Sequence, residues 1–283
     1  MSTSQPLTLH AADGYPLAAC LYPAQGPVQA NLLVASATGV PQQFYRRFAE
    51  FAASQGMQVL TFDYRGIGGS RPADLATADI SYVDWGELDL AAAVAHFADA
   101  DAPLYVVGHS FGGHALGMLP APQQVTAAYV VGCGAGWAGW MPRLEGLKVR
   151  LMWNLVLPLL VRRTGYLAWS RFGMGEDLPK GVYQQWKRWC RWPHYLFDDP
   201  QQSALHQRYA AVRIPMLFAN ALDDDWALPR SRDAFISGYR NAPCQTRDLT
   251  LERGALGHMG YFRPGAQWLW QEMLDTLPQL APR

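Results

Sequence analysis

Leu104-Tyr105-Val106-Val107-Gly108-His109-Ser110-Phe111-Gly112-Gly113 is the stretch on which the reading turns. It starts as an apolar run of strand length and passes into a helical pattern from Phe111 to Leu119. Between the two, Gly108 to Gly112 fits the pattern G-x-S-x-G. That pattern belongs to a sharp strand-to-helix turn that lifts a serine hydroxyl clear of a sheet. Small residues two positions before and after Ser110 let so strained a turn pack, and Gly113 extends the close-packed patch. The helix start supplies backbone N–H groups that favour developing negative charge. Ser110 is therefore the candidate nucleophile. A glycine-rich turn with a capping serine is the competing reading.

Outward from this turn, strand and helix patterns alternate. Asn31 to Ala35 is a short apolar run that suits a fully buried strand. Phe44, Phe48, Phe51 and Ala52 share one face of a helix that Gly56 closes. Gln58 to Asp63 reads as a strand. Trp85 to Phe97 reads as a helix with Leu88, Ala92 and Ala95 inward and its acids on the other side. Val125 to Val131 is again a strand. Upstream, Leu7–His10 and Leu17–Tyr22 flank a turn at Asp13-Gly14, a hairpin pattern. The rhythm stops near Gly134 and resumes at Met216. A helix from Pro229, a strand near Gln245–Leu251 and a last helix from Pro264 follow. This predicts an α/β fold: a mostly parallel sheet with helices on both faces. Residues 1–134 and 211–283 would form its core, and 135–210 an inserted helical cap.

The 283 residues are half apolar and 16% charged, with a formal net charge of zero. A chain of this size can bury a substantial core. Neutral balance gives no general case for nucleic acid. Cys20, Cys133, Cys190 and Cys244 lie far apart without a C-x-x-C spacing, so they read as buried free thiols of a reducing compartment. No Lys or Arg precedes Arg46, which argues against a secretory signal. The apolar stretch from Leu151 to Val161 is short and interrupted by Asn154 and Pro158, so it does not read as a membrane span. The expected location is the cytoplasm.

A serine nucleophile needs a base, and the base an orienting acid. On a sheet of this kind the order is serine, acid, histidine. Of seven histidines, His10, His96, His109, His114, His194 and His206 lie before the candidate acids. His258 follows them, in the loop Gly254-Ala255-Leu256-Gly257-His258-Met259-Gly260, where glycines allow the imidazole to be presented. The acid belongs just after a strand. Met216 to Ala221 is followed by Asp223-Asp224-Asp225. Counting from the strand end selects Asp224, and counting back from Pro229 selects Asp225. Asp224 is preferred because the strand fixes the position more tightly. The other carboxylates would be solvated or cap the helix near Pro229. Two backbone N–H groups should receive an oxyanion. Phe111 supplies one, and Thr38, next to Gly39 in the loop Ser36-Ala37-Thr38-Gly39-Val40, the other.

Together these residues resemble the α/β-hydrolase superfamily. Asp63-Tyr64-Arg65-Gly66-Ile67-Gly68-Gly69-Ser70 looks like the D-x-R-G-x-G-x-S loop of that superfamily. Ala37-Thr38-Gly39-Val40, Phe44-Tyr45-Arg46 and Gly257 to Arg263 are similar to a branch of poorly characterised bacterial predicted serine hydrolases. The His-Gly usual in the oxyanion loop is Ser36-Ala37 here. The resemblance implies hydrolysis of an ester or related acyl bond through an acyl-enzyme, with no metal or organic cofactor. Carboxylesterase or thioesterase-like action is expected. Amidase, peptidase and acyltransferase chemistry share the scaffold, and a non-catalytic binding protein is the rival from another class.

Seven of the eleven tryptophans lie between Trp137 and Trp192, and Trp186, Trp189 and Trp192 recur at spacing three, which predicts one shared helix face. From Trp137 to Phe197 there are ten Lys or Arg against three acids. A cap so composed would place an apolar pocket with a basic rim over Ser110. The plainer reading makes the tryptophans the core of the cap. The expected partner is a small ester or thioester with an apolar acyl part. Contact with a membrane surface is not expected, since Trp and basic residues mix on short helices without a clean apolar face. The sequence leaves the oligomeric state open.

Overall fold

A computed structural model describes residues 4–98, 100–173 and 175–281. Eight strands form one sheet in the order β1-β2-β4-β3-β5-β6-β7-β8. They are β1 (Gln5–His10), β2 (Pro16–Tyr22), β3 (Ala30–Ala35), β4 (Met57–Phe62), β5 (Leu104–His109), β6 (Ala127–Val131), β7 (Met216–Ala221) and β8 (Cys244–Leu249). β1 and β2 pair antiparallel, and β2 joins β4 antiparallel. From β4 to β8 every pairing is parallel. Every residue of β3, β5, β6 and β7 is buried. That is why those strands read as near-continuous apolar runs, interrupted at Asn31, His109 and Asn220. β8 lies at the edge and is polar along its middle, as an unprotected edge strand needs to be.

Two apolar layers cover the sheet. On one face, α1 (Arg46–Ser54) and α10 (Gln267–Leu280) pack Phe48 and Trp270 against Tyr129 and Val107. On the other lie α2 (Tyr82–Asp84), α3 (Ala91–Ala95), α4 (Phe111–Ala115) and α9 (Pro229–Ile236). Between β6 and β7 the chain is helical: α5 (Arg143–Leu151), α6 (Leu157–Thr164), α7 (Lys180–Trp189) and α8 (Ser203–Ala211). An isolated bridge between Leu167 and Leu178 is the strand-like pairing found there among the described residues.

The Asp63–Ser70 loop acts as a brace. Asp63 accepts from the N–H of Gln42 (2.7 Å) and of Gly69 (2.9 Å) and from the Gln42 side chain (3.0 Å). Ser70 Oγ donates to the Asp63 carbonyl and accepts from Ala18 N–H. Arg65 lies between Asp89 and Asp13, at 2.7 Å from each. The loop thereby ties β2 and the segment after β3 to the end of β4.

Three expectations need correction. Of the four cysteines only Cys133 is fully buried, and Cys20, Cys190 and Cys244 are partly exposed. Asp89 was expected on the outer side of its helix but is fully buried against Arg65. The inward face is instead that of Leu90, Ala93, Val94 and Phe97, on which Asp89 falls by three- and four-residue spacing, whereas Leu88 and Ala92 are half-buried and Ala95 is exposed. The three tryptophans at spacing three do not share a face. Each step falls about 60° short of a full helical turn. Trp186 accordingly lines a cavity, Trp189 is buried and Trp192, beyond the end of α7, is 38% exposed.

The turn into α4 has no room for side chains. A Cβ on Gly112 would lie 2.2 Å from the Ala35 carbonyl oxygen of β3. Gly112→Ala is expected to lower stability by the upper end of the ~1–3 kcal/mol that overpacking costs. Denaturant unfolding checks this, and an unchanged midpoint would contradict it.

Candidate active site

β3, β5 and β7 end on the same edge of the sheet, and each delivers part of one constellation. Ser110 follows β5 directly with φ 51° and ψ −107°, a backbone conformation that side-chain-bearing residues rarely adopt. Its N–H is held by the Val131 carbonyl of β6 at 2.8 Å. The imidazole Nε2 of His258 lies 3.1 Å from Ser110 Oγ. His258 Nδ1 lies 3.0 and 2.9 Å from the two carboxylate oxygens of Asp224. A carboxylate only accepts, so Nδ1 carries the proton and the Nε2 lone pair faces the serine hydroxyl.

The acidic run after β7 divides its work. Asp224 is fully buried. Besides His258 it accepts from the Tyr261 hydroxyl at 2.9 Å and from the N–H groups of Trp226 and Ala227 at 3.1 Å. Burial alone would raise its pKa. His258, Tyr261 and the Ala227 N–H outweigh burial and hold it below the usual carboxylate range. Asp223 was expected to be solvated or to cap a helix. Instead it accepts from the N–H of Leu256 (2.9 Å) and Gly257 (3.0 Å). It therefore fastens the loop that carries His258, in which Gly257 takes φ 53°. Asp225 is exposed and does not reach His258.

Sequence reading passed over a second support. His109 is fully buried, and burial pushes its pKa down to about 3, so the ring is neutral. Its Nε2 donates to the His258 carbonyl at 2.8 Å. Its Nδ1 accepts from the Tyr45 hydroxyl at 2.9 Å, and that hydroxyl accepts from Ala37 N–H at 2.9 Å. One hydrogen-bonded chain thus joins the loop after β3, the residue before Ser110 and the backbone of His258. His114 is also kept neutral by burial, with its pKa near 4, and holds the Gly134 carbonyl at 2.9 Å.

Phe111 follows Ser110, and Thr38 lines the same cavity as Ser110. Ala37 N–H is committed to Tyr45, whereas among the described residues the N–H groups of Thr38 and Phe111 have no protein acceptor. Tyr82 ties the pair together: its hydroxyl bonds Thr38 Oγ1, and its ring stacks on Phe111 at 4.1 Å. A cavity of about 240 Å³ opens at Ser110 and His258, with Thr38 beside them and Trp169, Trp186 and Trp226 on its walls. Trp226, beside the acidic run, was not expected there. Its reach into the cavity depends on the path of the loop after β7.

Burial alone would lower the pKa of His258. The Asp224 carboxylate outweighs burial and raises it above 6.5. A raised histidine stabilises the fold fully below its unfolded pKa and loses that contribution as pH rises through the folded value. A depressed aspartate contributes above its unfolded pKa and loses it as pH falls. The pair therefore adds most stability between about pH 4 and 6.5. NMR titration should find His258 above 6.5 in wild type and below it in Asp224→Asn, where burial acts without the carboxylate. A value unmoved by the substitution would contradict this coupling.

The sequence profile described as "Alpha/beta hydrolase family" matches residues 32–269. No protein of curated function matches the sequence. Among solved structures, the chain is similar to a soluble variant of monoglyceride lipase from Saccharomyces cerevisiae, with TM-score 0.68, 15% identity, and 99% of this chain and 97% of that chain covered. It is similar to the esterase domain of a Rhodothermus marinus protein, with TM-score 0.58, 18% identity and 97% of each chain covered. A thioesterase domain from the curacin biosynthetic pathway gives TM-score 0.59 at 15% identity, covering 96% of this chain and 99% of that one. At these identities the likeness is one of fold. With the profile spanning most of the chain and the sheet carrying the matching topology, the chain belongs to the alpha/beta hydrolase family.

Proposed function

We propose that this hydrolase cleaves esters or thioesters with an apolar acyl group, using Ser110 as nucleophile, His258 as base and Asp224 as orienting acid. The observation that carries the reading is the unbroken hydrogen-bonded series from Ser110 Oγ through His258 to a fully buried Asp224. Ester-acting proteins among the structural neighbours support the class of bond. Residues 135–210 serve as a cap whose Trp169 and Trp186 close the acyl pocket.

In this mechanism Ser110 Oγ attacks the carbonyl carbon while its proton passes to His258 Nε2. Asp224 holds the Nδ1 proton and stabilises the imidazolium. The oxyanion receives the N–H groups of Thr38 and Phe111. Collapse expels the alcohol or thiol, which takes the proton from His258. Water then gives a proton to His258, attacks the acyl carbon and releases the acid with Ser110 restored. Since His258 must start neutral, kcat/KM rises with pH through its raised pKa.

Hydrolysis of p-nitrophenyl esters of increasing acyl length tests the proposal. Ser110→Ala should abolish turnover in a folded protein. Asp224→Asn should lower kcat by about 10⁴-fold. Asp225→Asn should leave it within a few-fold. Activity should rise beyond acetate as the acyl group fills the tryptophan-lined pocket. Equal small losses from the two aspartate variants would refute the acid assignment. A folded wild type that binds such esters without turnover would favour a binding protein.

A further inference from the structure

The helical segment 143–164 has two apolar faces, and the protein covers one of them. Gly146, Val149, Trp153, Leu157 and Val161 are buried. Leu144, Leu147, Leu151, Leu155 and Leu159 repeat with the same spacing on the other side and are 55–67% exposed. Their steps of three and four residues keep them on one stripe, and the buried and exposed series both continue across the wide turn Met152–Val156 between α5 and α6. Isolated exposed leucines need no explanation, but five in line do.

Cations surround this stripe. Arg143, Lys148, Arg150, Arg162 and Arg163 lie on the same segment, which has one acid, Glu145, bridged to Lys148 at 3.4 Å. Beside it an open groove of about 830 Å³ separates α6 from α7. Arg162, Lys180, Lys187, Arg188 and Arg191 line it, with no carboxylate among the lining residues. Arg188 is paired with Asp199. Among the described residues Arg162, Lys180, Lys187 and Arg191 have no ion-pair partner. Burial and the neighbouring Arg191 push the pKa of Lys187 down, as crowded cations without a counter-charge require.

We infer that this face of the helical segment docks on an anionic phospholipid bilayer, with the leucine stripe in the headgroup–acyl boundary and the basic groove on lipid phosphates. An amphipathic helix lying in the interface plane combines these two terms, apolar burial and attraction to anionic headgroups. Charge selects this occupant over a second copy of the chain, since a twofold contact through the stripe would bring its five flanking cations against their own kind. No described helix is long and apolar enough to cross a membrane, so the contact is peripheral. Trp153, on the buried face of the segment, packs edge-on against Trp186 at 4.8 Å, and Trp186 lines the cavity at Ser110. The docking face and the cavity wall are thus two sides of one layer. The sequence shows no clean apolar moment here because the leucines are masked by the equally apolar buried face. Docking does not depend on Ser110 being reactive.

Vesicle flotation tests this with the full chain. Wild type should float with phosphatidylcholine vesicles doped with phosphatidylglycerol, stay down with phosphatidylcholine alone and be released by salt. Leu147→Asp with Leu151→Asp should abolish flotation. Lys187→Ala with Arg191→Ala should lower partitioning about fivefold per residue. All variants should keep the circular dichroism and melting of wild type, and the same turnover of a short soluble ester if that activity is present. Three outcomes would overturn the proposal. Wild type could stay down with both vesicles. It could form a dimer that Leu147→Asp with Leu151→Asp dissolves, without any vesicle binding. Inorganic phosphate could displace it far beyond chloride of equal ionic strength, which would mark a free-anion site.

Discussion

The backbone of Ser110 is the constraint on which the other parts depend. Its φ of 51° is unfavourable for a residue with a side chain, and the surroundings hold it there. Gly112 approaches β3, and Gly113 approaches Val130 of β6, closer than any Cβ would allow. The Val131 carbonyl takes the Ser110 N–H. Strain held in this way fixes the hydroxyl above the sheet edge while the N–H groups that follow point toward the same space. A relaxed turn would lose both at once.

The imidazole is fixed from two sides. Asp224 holds its Nδ1, and His109 holds its backbone carbonyl. Asp223 pins the loop just before it, and Tyr261 keeps Asp224 from turning. Asp224, His109 and Tyr261 are buried, where hydrogen bonds are stronger and unpaired groups are costly. The His109–Tyr45–Ala37 chain also sets the loop that presents Thr38. Base position and proposed oxyanion donor are therefore adjusted together.

Features with a local signature were legible in the sequence. The buried strands are near-continuous apolar runs, the elbow has its glycines, and His258 is the histidine that follows an acid after β7. Asp224 over Asp225 followed from the strand end, and the geometry brings Asp224 to His258. What stayed hidden depends on chain paths that no spacing encodes. Asp223 acts through backbone N–H groups of a distant loop. His109 looked like filler in G-x-S-x-G, yet it bridges residues far apart in the chain. Two faces compete between Trp85 and Phe97, and the buried one carries Asp89 because Arg65, distant in sequence, receives it; three-residue spacing drifts too far around a helix to keep three tryptophans on one face. The leucine stripe escaped notice because segment 143–164 is apolar on both sides, which blurs its periodicity.

An activated serine at the elbow is tested most directly by intact mass after incubation with a fluorophosphonate, on wild type and on Ser110→Ala. A reactive Ser110 gives one adduct on wild type and none on the variant. No adduct on folded wild type, or an adduct that persists in Ser110→Ala, would contradict the assignment of Ser110 as nucleophile.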